Sequence, residues 1–188
     1  MLAGHLAFGL ALKARYRATP LLVILFSVLL LDWLWLVLVW QGVEAFQVVE
    51  TASEMWQRDL HGACYSHGLF WAFFYALCVF LVFVRAEGQR HWAVPLSLGV
   101  FSHWLLDSLG FANLPFANFG PALNLGFGLS AVSPILSLLV EGMIVLLGWG
   151  IYYRSQRGTA SARWLLRASL VALVVLLLAQ PVWWSWIK

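Results

Sequence analysis

The chain has 188 residues, of which 63% are hydrophobic and only 10% are charged. Soluble domains carry roughly 25% charged residues, so this composition excludes an ordinary water-soluble fold and predicts that a bilayer covers the apolar surface. The net charge of +3 comes from cations that flank apolar runs, which indicates membrane topology rather than a nucleic-acid partner. The length suits one membrane-embedded helical domain over residues 1–188.

The apolar runs come in a regular order along the chain. A short segment at about 2–14 comes first and is too short to cross a bilayer alone. Runs of spanning length follow at about 20–41, 65–85, 92–110, 133–153 and 164–186. The pattern predicts an all-α, polytopic membrane bundle of about five transmembrane helices plus a short N-terminal helix.

The segment between the third and fourth runs, about 111–132, is apolar yet rich in Asn, Gly and Pro. Such a segment ends regular structure without becoming polar. It predicts a re-entrant loop or lid pressed into the protein or the membrane interface, with a plain surface loop as the alternative.

Basic residues orient the predicted bundle. Nine of the eleven fall on one side of it: Lys13, Arg15, Arg17, Arg85, Arg90, Arg154, Arg157, Arg163 and Arg167. The positive-inside rule places these nine, and the N-terminus, on the cytoplasmic side. The C-terminus is then external, as is a loop that we expect to be solvated and that carries Glu44, Glu50, Glu54 and Asp59.

Ionisable side chains inside membrane spans are costly and usually functional. Five lie within or beside the predicted spans, namely Asp32, His67, His103, Asp107 and Glu141. His5, in the short N-terminal segment, is a sixth candidate. At 1.5 Å per helical residue, their depths from the cytoplasmic boundary range from roughly 12 Å for His5 to roughly 27 Å for His67. Similar depths are a necessary condition for a common site.

His103 and Asp107 are four residues apart, so on a helix they share a face and can bind one cation or two neighbouring ones. Imidazole and carboxylate ligands suit zinc, with manganese or iron as alternatives. Three histidines and several carboxylates are more ligands than one tetrahedral zinc ion needs, so the site could hold either one ion or two.

Other interpretations exist for individual residues. Glu141 can be an interhelical hydrogen-bond donor, His5 an interfacial side chain, and His67 a helix cap or a headgroup contact. His103 with Asp107 can be a structural ion pair. His61 in the acidic loop is expected to be solvated, and His91 is expected at the cytoplasmic interface.

Several motifs together resemble a known family: "MLAGHLAFGLALK", "LLLDWLW", "YSHGLFWA", "SHWLLDSL", "NLPF" and "VEGM". In this order they are similar to the YdjM-like bacterial inner-membrane proteins, a predicted metal-dependent hydrolase family. The resemblance implies that His5, Asp32, His67, His103 and Asp107 are metal ligands. It also implies a distant similarity to zinc-dependent phospholipase C and P1 nuclease, and hence phosphoester hydrolysis in the bacterial inner membrane.

The residues and the resemblance together predict a membrane hydrolase that acts on a lipid or lipid-linked substrate from the external side. Asp107 or Glu141 is the expected general base, where it is not used as a ligand. Metal binding or ion transport without hydrolysis, a b-type haem protein and a purely structural subunit are the alternatives.

Overall fold

The structure is a computed structural model, and it describes residues 1–44, 47–48, 58–59, 63–119, 123, 125–156 and 160–185. The predicted positions of His61, Glu50 and Glu54 lie outside the described residues.

Helices account for most of the described chain, which confirms the all-α class. In chain order they are α1 (Leu2–Arg15), α2 (Leu21–Val28), α3 (Leu30–Trp40), α4 (Cys64–His67), α5 (Leu69–Arg85), α6 (Ala93–Gly110), α7 (Leu129–Val132), α8 (Pro134–Ser155) and α9 (Ala160–Ser185). A 3-10 turn, Arg90–Trp92, precedes α6. Strand structure in the described residues is limited to an antiparallel pairing of β1 (Gln47–Val48) with β2 (Arg58–Asp59).

Helix length and hydropathy support fewer spans than the sequence predicts. Among the described residues, α8 is the one straight helix long and apolar enough to cross a bilayer. The bent pair formed by α2 and α3 adds a second if it is one span, whereas α5 and the segment Arg167–Ala179 are apolar but shorter. The bundle of about five spans therefore stays a prediction.

The short N-terminal helix α1 is a core element. It packs against α8, α2 and α6, and its Ala3 and Ala7 are fully buried beside Val145 of α8. Gly148 of α8 explains the close approach, because a Cβ there would lie 2.4 Å from the carbonyl oxygen of Ala7. This packing brings His5 into the interior.

Two of the predicted continuous runs are interrupted. The run at 20–41 bends by 53° between α2 and α3, and the run at 65–85 breaks at Gly68, whose backbone is extended. A Cβ at Gly68 would lie 2.3 Å from the Cys64 carbonyl oxygen, so the junction of α4 and α5 requires glycine. His67 therefore lies on a separate four-residue helix rather than within a long span.

The described part of the 111–132 segment packs against the protein. The carbonyls of Pro115 and Phe116 accept hydrogen bonds from the first two amides of α5, at 3.1 and 2.9 Å, and Leu114 is fully buried. These contacts agree with a segment pressed into the protein. Whether it enters a membrane stays a prediction.

Candidate metal centre

His103 and Asp107 lie one turn apart on α6, as their spacing predicts. His103 Nε2 is 3.3 Å from Asp107 Oδ2. Both side chains are buried. The i, i+4 geometry predicted for this pair is confirmed.

Asp32 reaches the same place from the first turn of α3. The break between α2 and α3 creates a helix N-terminus at this point, and the helix dipole there favours a carboxylate. Asp32 Oδ1 lies 3.5 Å from His103 Nε2. A continuous helix through 20–41 would offer no such terminus.

His67 is the last residue of α4. Its Nε2 lies 3.7 Å from Asp32 Oδ1 and 3.7 Å from Asp107 Oδ2. The histidine therefore faces the same two carboxylates as His103, although the two rings come from different helices.

His5 of α1 approaches the other oxygen of Asp107. Its Nε2 is 3.1 Å from Asp107 Oδ1, and its ring stacks on that of His103 with centroids 3.9 Å apart. The amino nitrogen of Met1 is 3.6 Å from the same oxygen. Asp107 thus has one oxygen toward His5 and the other toward His67 and His103.

The described residues contain two groups that could hold a metal ion, and both include His103. One is His5, His103 and Asp107, and the other is Asp32, His67 and His103; in each, the donor atoms lie within 4.8 Å of one another. The ligands of a tetrahedral ion, at about 2.0–2.2 Å from it, are about 3.3–3.6 Å apart. The separations of His103 and His67 from Asp32 and Asp107, at 3.3–3.7 Å, are close to this spacing.

The hydrogen bonds of His103 leave one nitrogen available for such an ion. Its Nδ1 donates to the carbonyl oxygen of Val28 at 2.7 Å, and Val28 is the last residue of α2, where helix carbonyls lack intrahelical partners. Because Nδ1 carries the proton, Nε2 has the lone pair in the neutral ring. Within the described part of the chain, this buried Nε2 has no hydrogen-bond partner, so the residues present fit a metal ion.

The cluster is enclosed on most sides. The side chains of His5, His67, His103 and Asp107 are at most 5% exposed, whereas that of Asp32 is 41% exposed. The opening of the cluster therefore lies beside Asp32, at the bend between α2 and α3.

Glu141 has a different position from the other predicted site residues. It is buried in α8, and its Oε1 accepts a hydrogen bond from the backbone amide of Gly4 at 3.1 Å. The first amides of a helix lack intrahelical partners, so Glu141 caps α1. It belongs to neither ligand group. Its catalytic role stays a prediction.

Two residues beside the site, Glu44 and Ser66, were not predicted from the sequence to belong to it. Glu44 was expected to be solvated, but it is only 4% exposed and accepts hydrogen bonds from the amides of Tyr65 and Ser66 and from the Ser66 hydroxyl. Ser66 in turn contacts His67 Nδ1 at 2.8 Å. A carboxylate in a polar loop carries no sequence signal of burial.

Burial and the nearby Glu44 raise the pKa of the Cys64 thiol.

The remaining histidine of the described chain, His91, is exposed on the 3-10 turn before α6 and belongs to neither group. This position agrees with its predicted separation from the site.

Comparison of the chain with protein-family models, with curated proteins and with solved structures found no match in any of the three.

Proposed function

We propose that the protein is a membrane-embedded, metal-dependent hydrolase that cleaves a phosphoester or ester bond of a lipid or lipid-linked substrate. One observation carries the proposal: the Nε2 atoms of His67 and His103 each lie 3.3–3.7 Å from carboxylate oxygens of Asp32 and Asp107, although the four residues come from three separate helices. Burying such groups is costly unless they are paired or coordinate a metal.

The donor set favours zinc. Two imidazole nitrogens and two carboxylate oxygens suit Zn²⁺, with Mn²⁺ or Fe²⁺ as alternatives. Both groups contain His103, whose available Nε2 can bind one ion only. Two adjacent ions would therefore be bridged by the two oxygens of Asp107, with His5 on the second ion, and a single ion is the alternative. Two-metal centres are common in phosphoester hydrolysis.

The residues of the site would have different roles in the reaction. His5, Asp32, His67, His103 and Asp107 would hold the ion or ions. A bound divalent ion would supply Lewis-acid polarisation of the phosphoryl or carbonyl oxygen and a water of lowered pKa. A carboxylate oxygen of Asp107 that does not coordinate an ion would accept the proton of the attacking water. Glu141 is the alternative base.

The surroundings of Asp32 support a lipid substrate. Asp32 is the exposed member of the cluster, and along the same helix Trp33 and Leu36 are each 50% exposed. Apolar side chains beside a polar opening suit a molecule with acyl chains and a polar headgroup. The resemblance to the YdjM-like proteins favours the bacterial inner membrane. The distribution of basic residues favours a cytoplasmic N-terminus, an external C-terminus and access from the external leaflet.

A second candidate function is metal binding or ion transport without hydrolysis. It is favoured by the four donors around one position, because a zinc site with four protein ligands has no open position for substrate. Transport predicts metal flux into proteoliposomes, whereas hydrolysis predicts none.

The experiment compares His103→Ala and Asp107→Asn with the control His91→Ala, each purified in detergent. Elemental analysis measures bound metal, and release of diacylglycerol or phosphatidate from phosphatidylethanolamine and phosphatidylglycerol vesicles measures hydrolysis. We expect both site variants to lose metal and hydrolysis, and His91→Ala to retain both, because the exposed His91 lies outside the ligand groups.

Metal-free wild-type protein would contradict the metal centre. Metal-loaded wild-type protein that hydrolyses neither vesicle lipid but carries metal across a membrane would favour transport.

A further inference from the structure

The position of Glu44 follows from how α3 ends. Gly42 has a positive φ of 70°, and the amides of Gly42 and Val43 donate to the carbonyls of Val39 and Leu38. This is a Schellman motif, which requires a left-handed residue after the helix. The motif turns the chain back after α3, and Glu44 comes two residues later.

Both oxygens of Glu44 are used on α4. Oε1 accepts the amides of Tyr65 and Ser66 at 2.7 and 2.9 Å. Oε2 accepts the hydroxyl of Ser66 at 2.6 Å. The first oxygen therefore caps a short helix, and the second sets the direction of one hydroxyl proton.

That direction determines the proton on His67. Because the Ser66 hydroxyl donates its proton to Glu44, its oxygen can only accept from His67 Nδ1, which lies 2.8 Å away. Nδ1 then carries the ring proton, and Nε2 has the lone pair facing Asp32 and Asp107.

We propose that Glu44 and Ser66 are positioning residues that hold the His67 ring in the tautomer able to bind a metal ion. The inference rests on the proposed metal centre. Carboxylates that accept the second N–H of a metal-binding histidine raise its basicity and fix its orientation. Here the carboxylate acts through a serine hydroxyl, so His67 Nδ1 is linked to a charged group by way of Ser66, whereas His103 Nδ1 has only the neutral carbonyl of Val28.

The chain contains a matched control. Ser102 is buried and directly precedes His103, as Ser66 precedes His67. Its hydroxyl donates to the carbonyl of Gly99 at 2.7 Å, within its own helix. Ser66→Ala and Ser102→Ala therefore each remove a buried hydroxyl next to a ligand histidine, but only Ser66→Ala interrupts a link to a carboxylate.

The experiment measures the zinc dissociation constant of the full chain in detergent by competition with a chromophoric chelator. We expect Ser66→Ala to weaken binding by about 10–100-fold, the usual effect of losing such a partner. Ser66→Thr restores the hydroxyl and should recover most of the affinity. Ser102→Ala should leave the wild-type constant unchanged.

Glu44→Gln keeps a side-chain oxygen for the α4 amides but removes the carboxylate charge. We expect it to weaken binding in the wild-type background and to have little further effect in Ser66→Ala, because both act through one hydrogen-bond chain. Thermal unfolding of the metal-free variants separates this effect from loss of fold.

Equal zinc affinity of Ser66→Ala and wild type overturns the inference and leaves the metal centre intact. Equal weakening by Ser66→Ala and Ser102→Ala overturns it too, since a general packing effect then suffices. Wild-type protein that binds no zinc overturns the metal centre and the inference together.

Discussion

His103 is the central residue of the site. It belongs to both ligand groups, its Nε2 approaches Asp32 and Asp107, and its other nitrogen is fixed by the Val28 carbonyl. His5 contacts only one oxygen of Asp107 and stacks on His103. Both histidines are buried, so burial alone does not rank them.

We therefore expect His103→Ala to abolish metal binding and His5→Ala to weaken it without abolishing it, because the second group of Asp32, His67 and His103 survives the loss of His5. Chelator competition and metal-to-protein ratios measure both effects. A ratio that falls from two to one in His5→Ala would identify a two-ion centre. If His5→Ala lost all bound metal while His103→Ala retained it, the central role of His103 would be contradicted.

At the scale of elements, the site depends on interruptions of helices. The bend before α3 supplies both the N-terminus that carries Asp32 and the Val28 carbonyl that binds His103. The break at Gly68 ends α4 directly after His67. The approach of α1 to α8 then places His5 in the interior.

The contact of α1 with α8 should be sensitive to a single methyl group. We expect Gly148→Ala to destabilise the protein by about 1–3 kcal/mol and to weaken metal binding, because its Cβ would lie 2.4 Å from the backbone of Ala7 and would push α1, with His5, outward. Thermal unfolding and metal titration measure these effects.

Gly150→Ala is the control in the same helix, since a Cβ there meets nothing within 4 Å. It should be neutral or slightly stabilising, as alanine favours helices by about 1 kcal/mol over glycine. Equal destabilisation by the two variants would show that helix contact at Gly148 is not the cause.

The end of α3 offers another test of an element. Gly42 and Gly88 both have positive φ, of 70° and 76°, with open space around them. Alanine at either should cost about 1–2 kcal/mol of backbone strain. Only Gly42→Ala should also weaken metal binding, because only Gly42 directs the chain toward Glu44. Metal titration of both variants checks this, and an equal effect on affinity would refute it.

At the scale of the whole molecule, apolar side chains dominate the outside. Many large ones are at least half exposed, including Leu22, Trp40, Phe127 and Leu147. So many exposed apolar side chains are typical of a surface that a membrane or a partner covers. Among the described residues, only α8, and the bent pair if it acts as one span, meets the combined requirement of length and hydropathy.

We expect the protein to stay in the membrane pellet after alkaline carbonate extraction and to be released by detergent, because large apolar side chains are exposed on several of its helices. For orientation, green fluorescent protein fused after Gly88 should fluoresce, and alkaline phosphatase fused after Gly42 should be active, as the basic residues predict. Release by carbonate would contradict the bilayer location, and the opposite reporter pattern would invert the topology.

Much of the site was predictable from residue type alone. Histidines and carboxylates in apolar runs are conspicuous because their burial demands compensation, and spacing alone was enough to pair His103 with Asp107. Glu44 and Ser66 carried no such signal. A glutamate in an acidic loop and a serine in a helix are ordinary at the surface, and only their contacts identify them.

The sequence by itself determined the helical class, the apolar character and the set of ionisable residues that need partners, because these follow from composition and periodicity. Only the tertiary structure decided where helices break, which oxygen of Asp107 faces which histidine, and that Glu44 supports His67 while Glu141 caps α1. Those features depend on helix rotation and on contacts between distant segments, and neither is encoded in local sequence pattern.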